Sequence, residues 1–533
     1  LPASRKLRAI WLSVLIIVVC SLLGGIYGPR VRAAAAPSED DLRESIRNFA
    51  NVYRVVEENY ADHVNPDTAI YNGAIPNMLR QLDPHSQFFD PEQFAALRDE
   101  QKGHYAGVGM TVGPRNGKTI VIAPFPKTPA YKAGIRPGDV IIKVDGEPTD
   151  NMTVSDVAKR LRGEKGTTVT ITVQREGHDQ PLDFTVVRDE IPRKSVPVDF
   201  FIKPGIAYIK IDSFSETTGK ELNEALKTLN ESTFKGLILD LRGNRGGLLS
   251  EGVAVSDKFL RKGQTIVSHH GRASAERVYR AQRGNGGRNY PMVVMVNCDS
   301  ASAAEIVAGA LQDHDRALIV GSSTFGKGLV QTVYPLSHDA GLALTTAHYY
   351  TPSGRLIQRS YDNISLYEYY SDPCKQNRRV DTSKLEVKMT DSGRPVYGGD
   401  GITPDVRLTT QRNDRFENEL IRRSAFFNYA QHYFSTHDKL PPKWQPDQAT
   451  LDEFRQFLYK EKFKFTEAEF AKDLDFIRRD LTREIYISGY DLGEGDKYYV
   501  ETDPDVQAAI QLLPKAHELT DGAQRIIAER ANR

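Results

Sequence analysis

The sequence predicts a multidomain α/β protein, and three observations lead there. A chain of 533 residues exceeds what one hydrophobic core organises, so roughly two to four domains are expected. Short apolar runs bounded by turn residues recur in its middle: "KGLILDL" (Lys235 to Leu241), "PMVVMVN" (Pro291 to Asn297) and "ALIVG" (Ala317 to Gly321). That is the pattern of buried, parallel strands. Beyond about Gln411 the pattern turns helical and charge-mixed, with aromatic residues three and four apart. The units expected are an export segment (1–37), a helical region (38–102), a glycine-punctuated, strand-rich unit (103–190), an α/β core (191–410) and a helical C-terminal extension (411–533).

At the N-terminus, Arg5, Lys6 and Arg8 precede an apolar run from Ala9 to Tyr27. Nineteen such positions can span a bilayer as a helix, and the basic flank sets an N-in orientation. The alternative is a signal peptide cleaved near Ala34 to Ala36. The length of the run favours an uncleaved anchor. Either way the body is exported, to the periplasm or another extracytoplasmic space, with the membrane as a partner through this segment. Lys+Arg and Asp+Glu both number 70, so no overall basic field exists for nucleic acid. Apolar residues at 40% fit globular domains, not disorder.

Cysteine and histidine offer little chemistry. Cys20 lies in the apolar run, and Cys298 and Cys374 can pair at most once, so no disulfide framework is expected. Cys298, at a strand end, is expected to be buried and not a nucleophile. His269, His270 and His314 lack ligand spacing, so neither a metal nor another cofactor is expected.

From Glu39 to Arg98 the pattern is mostly helical, with a turn at "LDPHSQFF" (Leu82 to Phe89). Alternation at "IAYIKIDSF" (Ile206 to Phe214) opens the α/β core, which holds three glycine- or serine-rich loops. "GSSTFGKG" (Gly321 to Gly328) has the spacing of a phosphate loop. It lacks the Ser or Thr that would hold magnesium, and strand-like "LVQTVYPL" follows where a helix is needed. A desolvated Lys327 can instead serve as a general base. Ser300 and Ser302 sit at a strand-to-helix turn, where Ser302-Ala-Ala-Glu305 reads as a capping box. Capping and catalysis are compatible there, because a helix N-terminus also presents amides to an oxyanion. Ala303 would supply one such N–H, and Gly246 or Gly247 of "DLRGNRGG" (Asp240 to Gly247) is a candidate for the other; the alternative for that loop is a tight βα turn with a solvent-facing arginine.

Together "DLRGNRGG", "SASAAE" (Ser300 to Glu305) and "TFGKGLVQ" (Thr324 to Gln331) resemble the motifs of the carboxyl-terminal processing (tail-specific, S41) serine peptidases. The resemblance covers roughly Asp41 to Leu408. It departs from the serine motif at Ala304 and at a tyrosine-rich stretch, about Arg359 to Tyr397, read as an insertion. It implies a crotonase/Clp-like α/β core with Ser302 as nucleophile, Lys327 as base and Gln331 in support. It also implies a PDZ domain over Gly103 to Glu190, with "YAGVGM" (Tyr105, Ala106, Gly107, Val108, Gly109, Met110) as the carboxylate-binding loop. The amides around Gly107 to Gly109 can form a nest for a carboxylate, beside which a peptide adds as a strand. Thr153 and Asp156 are expected to cap the helix that walls this groove. The implied activity is endoproteolysis of proteins or peptides with free C-termini. The alternative is an anchored PDZ adaptor or inactive homologue that binds such tails. A homo-oligomer or an activating partner is left open.

Overall fold

The computed structural model describes residues 39–362, 364–371, 385–408, 413–437 and 440–531. The expected anchor, 1–37, lies outside them, as do Cys374 and part of the expected insertion. Among the described residues no helix is long and apolar enough to cross a membrane. The chain divides into two compact units, Leu1–Pro76 and Asn77–Arg533. In the first, the helix Glu39–Asn59 carries an acidic first turn, Glu39 to Asp41, which suits the positive end of its dipole.

The second unit is built on a six-stranded sheet in the order Val198–Lys203, Ile206–Lys210, Gly236–Asp240, Met292–Val296, Leu318–Gly321, Val406–Arg407. The first pair is antiparallel and every later pair parallel, as the apolar runs predict. The central positions of each run are apolar because both faces are covered. Leu237, Leu239, Val294 and Ile319 point to one side, against the helices Thr218–Thr228, Leu249–Asp257 and Ala303–Asp313. Their neighbours Ile238, Val293, Met295, Leu318 and Val320 point to the other. What covers that second face comes from the end of the chain: Val506, Ala509 and Ile510 of the helix Pro504–Gln511, and Leu513 and Ala516 of Leu513–Ala531. The last helices of the segment expected as an extension thus form the third layer of the core.

A parallel sheet gathers its loops at the carboxyl ends of its strands. Three adjacent strands, Gly236–Asp240, Met292–Val296 and Leu318–Gly321, therefore deliver the three glycine- or serine-rich loops to one edge. A second sheet stands beside that edge. Its long strand Gly341–Tyr350 pairs with Leu329–Pro335, with Thr265–His270 and with Gln87–Phe89. The last of these shows that "LDPHSQFF" is a turn followed by a strand.

The strand-rich unit is a sheet of Met110–Arg115, Lys118–Pro124, Val140–Val144, Thr168–Gln174 and Leu182–Val187, with Glu147–Pro148 at Val140–Val144. Val121, Ile141, Val144, Ile171 and Val173 close its core against Val157 of the helix Val154–Leu161. That helix has the expected capping box. Asp156 N–H donates to Thr153 Oγ1 at 3.2 Å, and Thr153 N–H donates to Asp156 Oδ2 at 3.0 Å. In the C-terminal segment, five helices between Arg415 and Gly489 enclose an aromatic core of Phe416, Phe426, Tyr429, Trp444 and Phe454.

Candidate active site

Two serines two residues apart have different fates. Ser300 is fully buried: its Oγ donates to Leu241 O at 2.8 Å and accepts from Asn297 N–H at 2.9 Å, pinning the serine loop to the neighbouring strand. Ser302 takes φ +56° and ψ −115°, a left-handed backbone that a non-glycine residue rarely adopts. Strain of this kind persists only where the surroundings enforce it, and it concentrates at functional sites. Here the enforcement comes from Glu305, whose carboxylate accepts Ser302 N–H at 2.8 Å. The capping box is thus met from the glutamate side, while the Ser302 hydroxyl makes no cap hydrogen bond of good geometry.

Glu305 also joins the loops. Fully buried, it accepts from Thr324 Oγ1 at 2.5 Å, Gly326 N–H at 2.8 Å and Lys327 N–H at 2.9 Å. Burial pushes its pKa up, and these donors with Ser302 N–H pull it down. Tyr349 closes the same junction from the second sheet, its hydroxyl donating to Ser302 O at 3.1 Å and Lys327 O at 2.5 Å.

The Lys327 side chain is half-buried and its Nζ donates to Gln331 Oε1 at 2.7 Å. Lys327 and Gln331 lie four apart across the loop and the start of the strand Leu329–Pro335. Burial pushes the lysine below its ordinary range, with the charges of Glu305 and Asp83 pulling it back. Gln331 Nε2 donates to the carbonyl of His85. That bond fixes which end of the amide faces the lysine.

His85 was expected only as part of a turn. Asp83 shapes that turn, accepting His85 N–H at 2.7 Å and Ser86 N–H at 2.8 Å. The imidazole contacts the Tyr369 hydroxyl at 3.0 Å, and burial, then the Lys327 charge, lowers its pKa to about 4. The "DPHS" turn could have been found as a site element only by knowing that Gln87–Phe89 joins the lysine's sheet.

The glycine loop lies against Ser302. A Cβ on Gly246 would come within 2.7 Å of Ser302 Cβ, and one on Gly247 within 2.1 Å of Phe214 O, so neither position admits a side chain. One expectation needs correcting. Gly246 N–H donates to Asn244 Oδ1 at 2.8 Å, so this amide is already committed and is not an open oxyanion donor. Asn244 holds that turn because its own Nδ2 is anchored on Ile211 O at 2.7 Å. A second correction concerns Cys298, which is half-buried and disulfide-bonded; this pairing, not burial, removes it as a nucleophile.

Ser302, Lys327, Gln331, Gly246 and Gly247 all line one cleft of about 1330 Å³. Its walls include Phe125 to Pro129 of the strand-rich unit and Leu492, Gly493 and Asp496 of the C-terminal helices. Within "YAGVGM", Tyr105, Ala106 and Gly107 pair with Ile191, Glu190 and Asp189 as a short ladder. Val108 and Gly109, the latter at φ +81°, link this ladder to the next strand, which begins at Met110.

Comparison with known proteins bears on this arrangement. Residues 205–364 match the model of peptidase family S41, and 120–175 match a PDZ domain. Residues 416–469 match a model described as the C-terminal helical domain of a probable PDZ-protease. The carboxy-terminal-processing protease of Bartonella bacilliformis is 40% identical over 326 residues, 60% of this chain and 74% of that protein. This chain belongs to the carboxy-terminal processing proteases. It is a serine-type peptidase with a PDZ domain. The carboxy-terminal processing protease CtpA of Bacillus subtilis is 33% identical over 363 residues, 67% of this chain and 76% of that protein. Among solved structures, a photosystem II D1 C-terminal processing protease is 28% identical with a TM-score of 0.35, over 67% of this chain and 86% of that one.

Proposed function

We propose that this peptidase is exported and cleaves proteins near their C-termini with Ser302 as nucleophile and Lys327 as general base. The observation that carries this reading is the pairing, in one cleft, of a serine on a left-handed turn with a desolvated lysine whose Nζ is held by Gln331. In the first step neutral Lys327 takes the proton of Ser302 Oγ as the oxygen attacks the scissile carbonyl carbon. The oxyanion is held by Ala303 N–H and, with Gly246 already committed, by Gly247 N–H. The C–N bond then breaks as the Lys327 ammonium returns the proton to the leaving amine. Water, deprotonated by the same lysine, then attacks the acyl carbon; the ester C–O bond breaks and the Lys327 ammonium returns the proton to Ser302 Oγ, releasing the carboxyl product. Gln331 acts by orienting Nζ.

The PDZ domain recruits substrate tails, with the loop Tyr105 to Met110 as the carboxylate site. The N-terminal segment holds the enzyme at the inner membrane. A direct test is incubation of the chain from Ser38 onward with unfolded proteins, followed by mass analysis of the products. Wild type should release peptides cut near the C-terminus and Ser302→Ala none. Equal cleavage by the two would end this reading.

A further inference from the structure

The C-terminal helices reach the glycine loop directly. Arg242 follows the sheet strand, and its guanidinium grips the buried Asp240 through Nε at 3.0 Å and Nη2 at 2.6 Å. The same Nη2 donates to Asp503 Oδ2 at 2.8 Å, and Nη1 lies 3.6 Å from Asp505 Oδ2. All of these side chains are at most one-fifth exposed. Asp503 is itself held in place. It caps the helix Pro504–Gln511, its Oδ1 accepting Asp505 N–H at 2.8 Å, which leaves Oδ2 aimed at Arg242.

We propose that Asp503 and Asp505 are positioning residues for the glycine loop, so that the C-terminal helices belong to the catalytic machinery. The loop needs such a clamp. Gly243, Gly246 and Gly247 all have positive φ and little intrinsic preference for one conformation. A planar guanidinium shared among carboxylates is a fixed fork, and it fixes the backbone that carries it. From there the path to the serine is short. Gly243 N–H donates to Asn297 Oδ1 at 2.9 Å, and Asn244 O accepts Ala301 N–H at 2.9 Å. The helix Leu492–Thr502 runs from the cleft wall at Leu492 and Gly493 to Asp503, about 16 Å at 1.5 Å per residue. One rigid element therefore joins the substrate cleft to the clamp.

The test uses the chain from Ser38 onward with Asp503→Asn and Asp505→Asn, singly and together. Each variant is measured on a peptide with a free C-terminus and by its rate of labelling with a fluorophosphonate. In the double variant kcat and the labelling rate should both fall about 10- to 100-fold with KM unchanged, less than the ~10²–10³ cost of deleting an oxyanion donor outright. The thermal midpoint should stay near that of wild type, since Asp240 still neutralises Arg242. Should the double variant fail to fold, Asp505→Asn, whose contact is the longer, decides with a fall of about two- to fivefold in kcat alone. Wild-type kcat and labelling, or a fall confined to KM, would overturn the proposal. It rests on Ser302 as nucleophile, so Ser302→Ala is run alongside. An active Ser302→Ala removes that reading, whereas an inactive one beside an unimpaired double variant removes only the clamp.

Discussion

At the scale of single residues, the site turns on where one proton resides. In the proposed mechanism Lys327 acts as base only when neutral, and burial lowers its pKa, so cleavage should rise with pH through a midpoint below the ordinary lysine value of about 10.4. The sign is fixed: below the midpoint the ammonium cannot accept the serine proton, and above it the amine can. Gln331→Glu would place a carboxylate where Oε1 now lies 2.7 Å from Nζ. That stabilises the ammonium and should move the rising limb of kcat/KM upward by about one unit or more. A limb that stays in place would show that Lys327 is not the group titrating. Lys327→Arg should be inactive at every pH, because a guanidinium does not give up its proton in this range.

At the scale of elements, the loops matter through their close approach to one another. Gly246→Ala would force a side chain onto φ +94° and into Ser302 Cβ. The left-handed backbone alone costs roughly 1–2 kcal/mol, and the clash must move one loop. We expect kcat to fall at least about 100-fold, since a 1 Å misplacement has that effect, with far-ultraviolet circular dichroism unchanged. Near-wild-type turnover would mean that the spacing between these loops is not critical. The loops, their strands and the helix after Ser302 were legible in the sequence because each is local: an apolar run, a turn of glycines, a capping pattern. The His85 carbonyl behind Gln331 was not, because it arrives through pairing of Gln87–Phe89 with a strand far away in the chain. Nor was the commitment of the Gly246 amide, which depends on how the Asn244 side chain folds back. The left-handed Ser302 was hidden for a similar reason, since nothing in "SASAAE" announces a positive φ.

For the whole molecule, the C-terminal end of the second unit completes the α/β core. Helical periodicity in the C-terminal segment shows apolar faces but not what they cover, and so the segment read as an extension. In the structure its last helices seal Ile238, Val293, Met295, Leu318 and Val320. Exposing such side chains costs about 1.5–3 kcal/mol each, against a total stability of about 5–15 kcal/mol. A chain ended after Leu408 should therefore be insoluble, and recovery of a cooperatively melting fragment would contradict the three-layer core. The PDZ domain stands in a different relation to the core, because Phe125 to Pro129 share the cleft with Ser302 without sealing the sheet. In the proposed mode of recruitment, a tail held by this domain would keep the scissile bond near the serine, which would raise its effective concentration without new contacts at the reacting atoms. Adding an apolar carboxyl-terminal residue to a poor substrate should then lower the apparent KM and leave kcat nearly unchanged, and amidating that terminus should reverse the gain. Gly107→Pro places a proline in the ladder with Asp189, where its missing N–H and fixed φ disturb the carboxylate loop. It should erase the preference while fluorophosphonate still labels Ser302 at the wild-type rate. Equal cleavage of free-acid and amidated substrates by the intact enzyme, over a range of concentrations, would exclude tail recruitment.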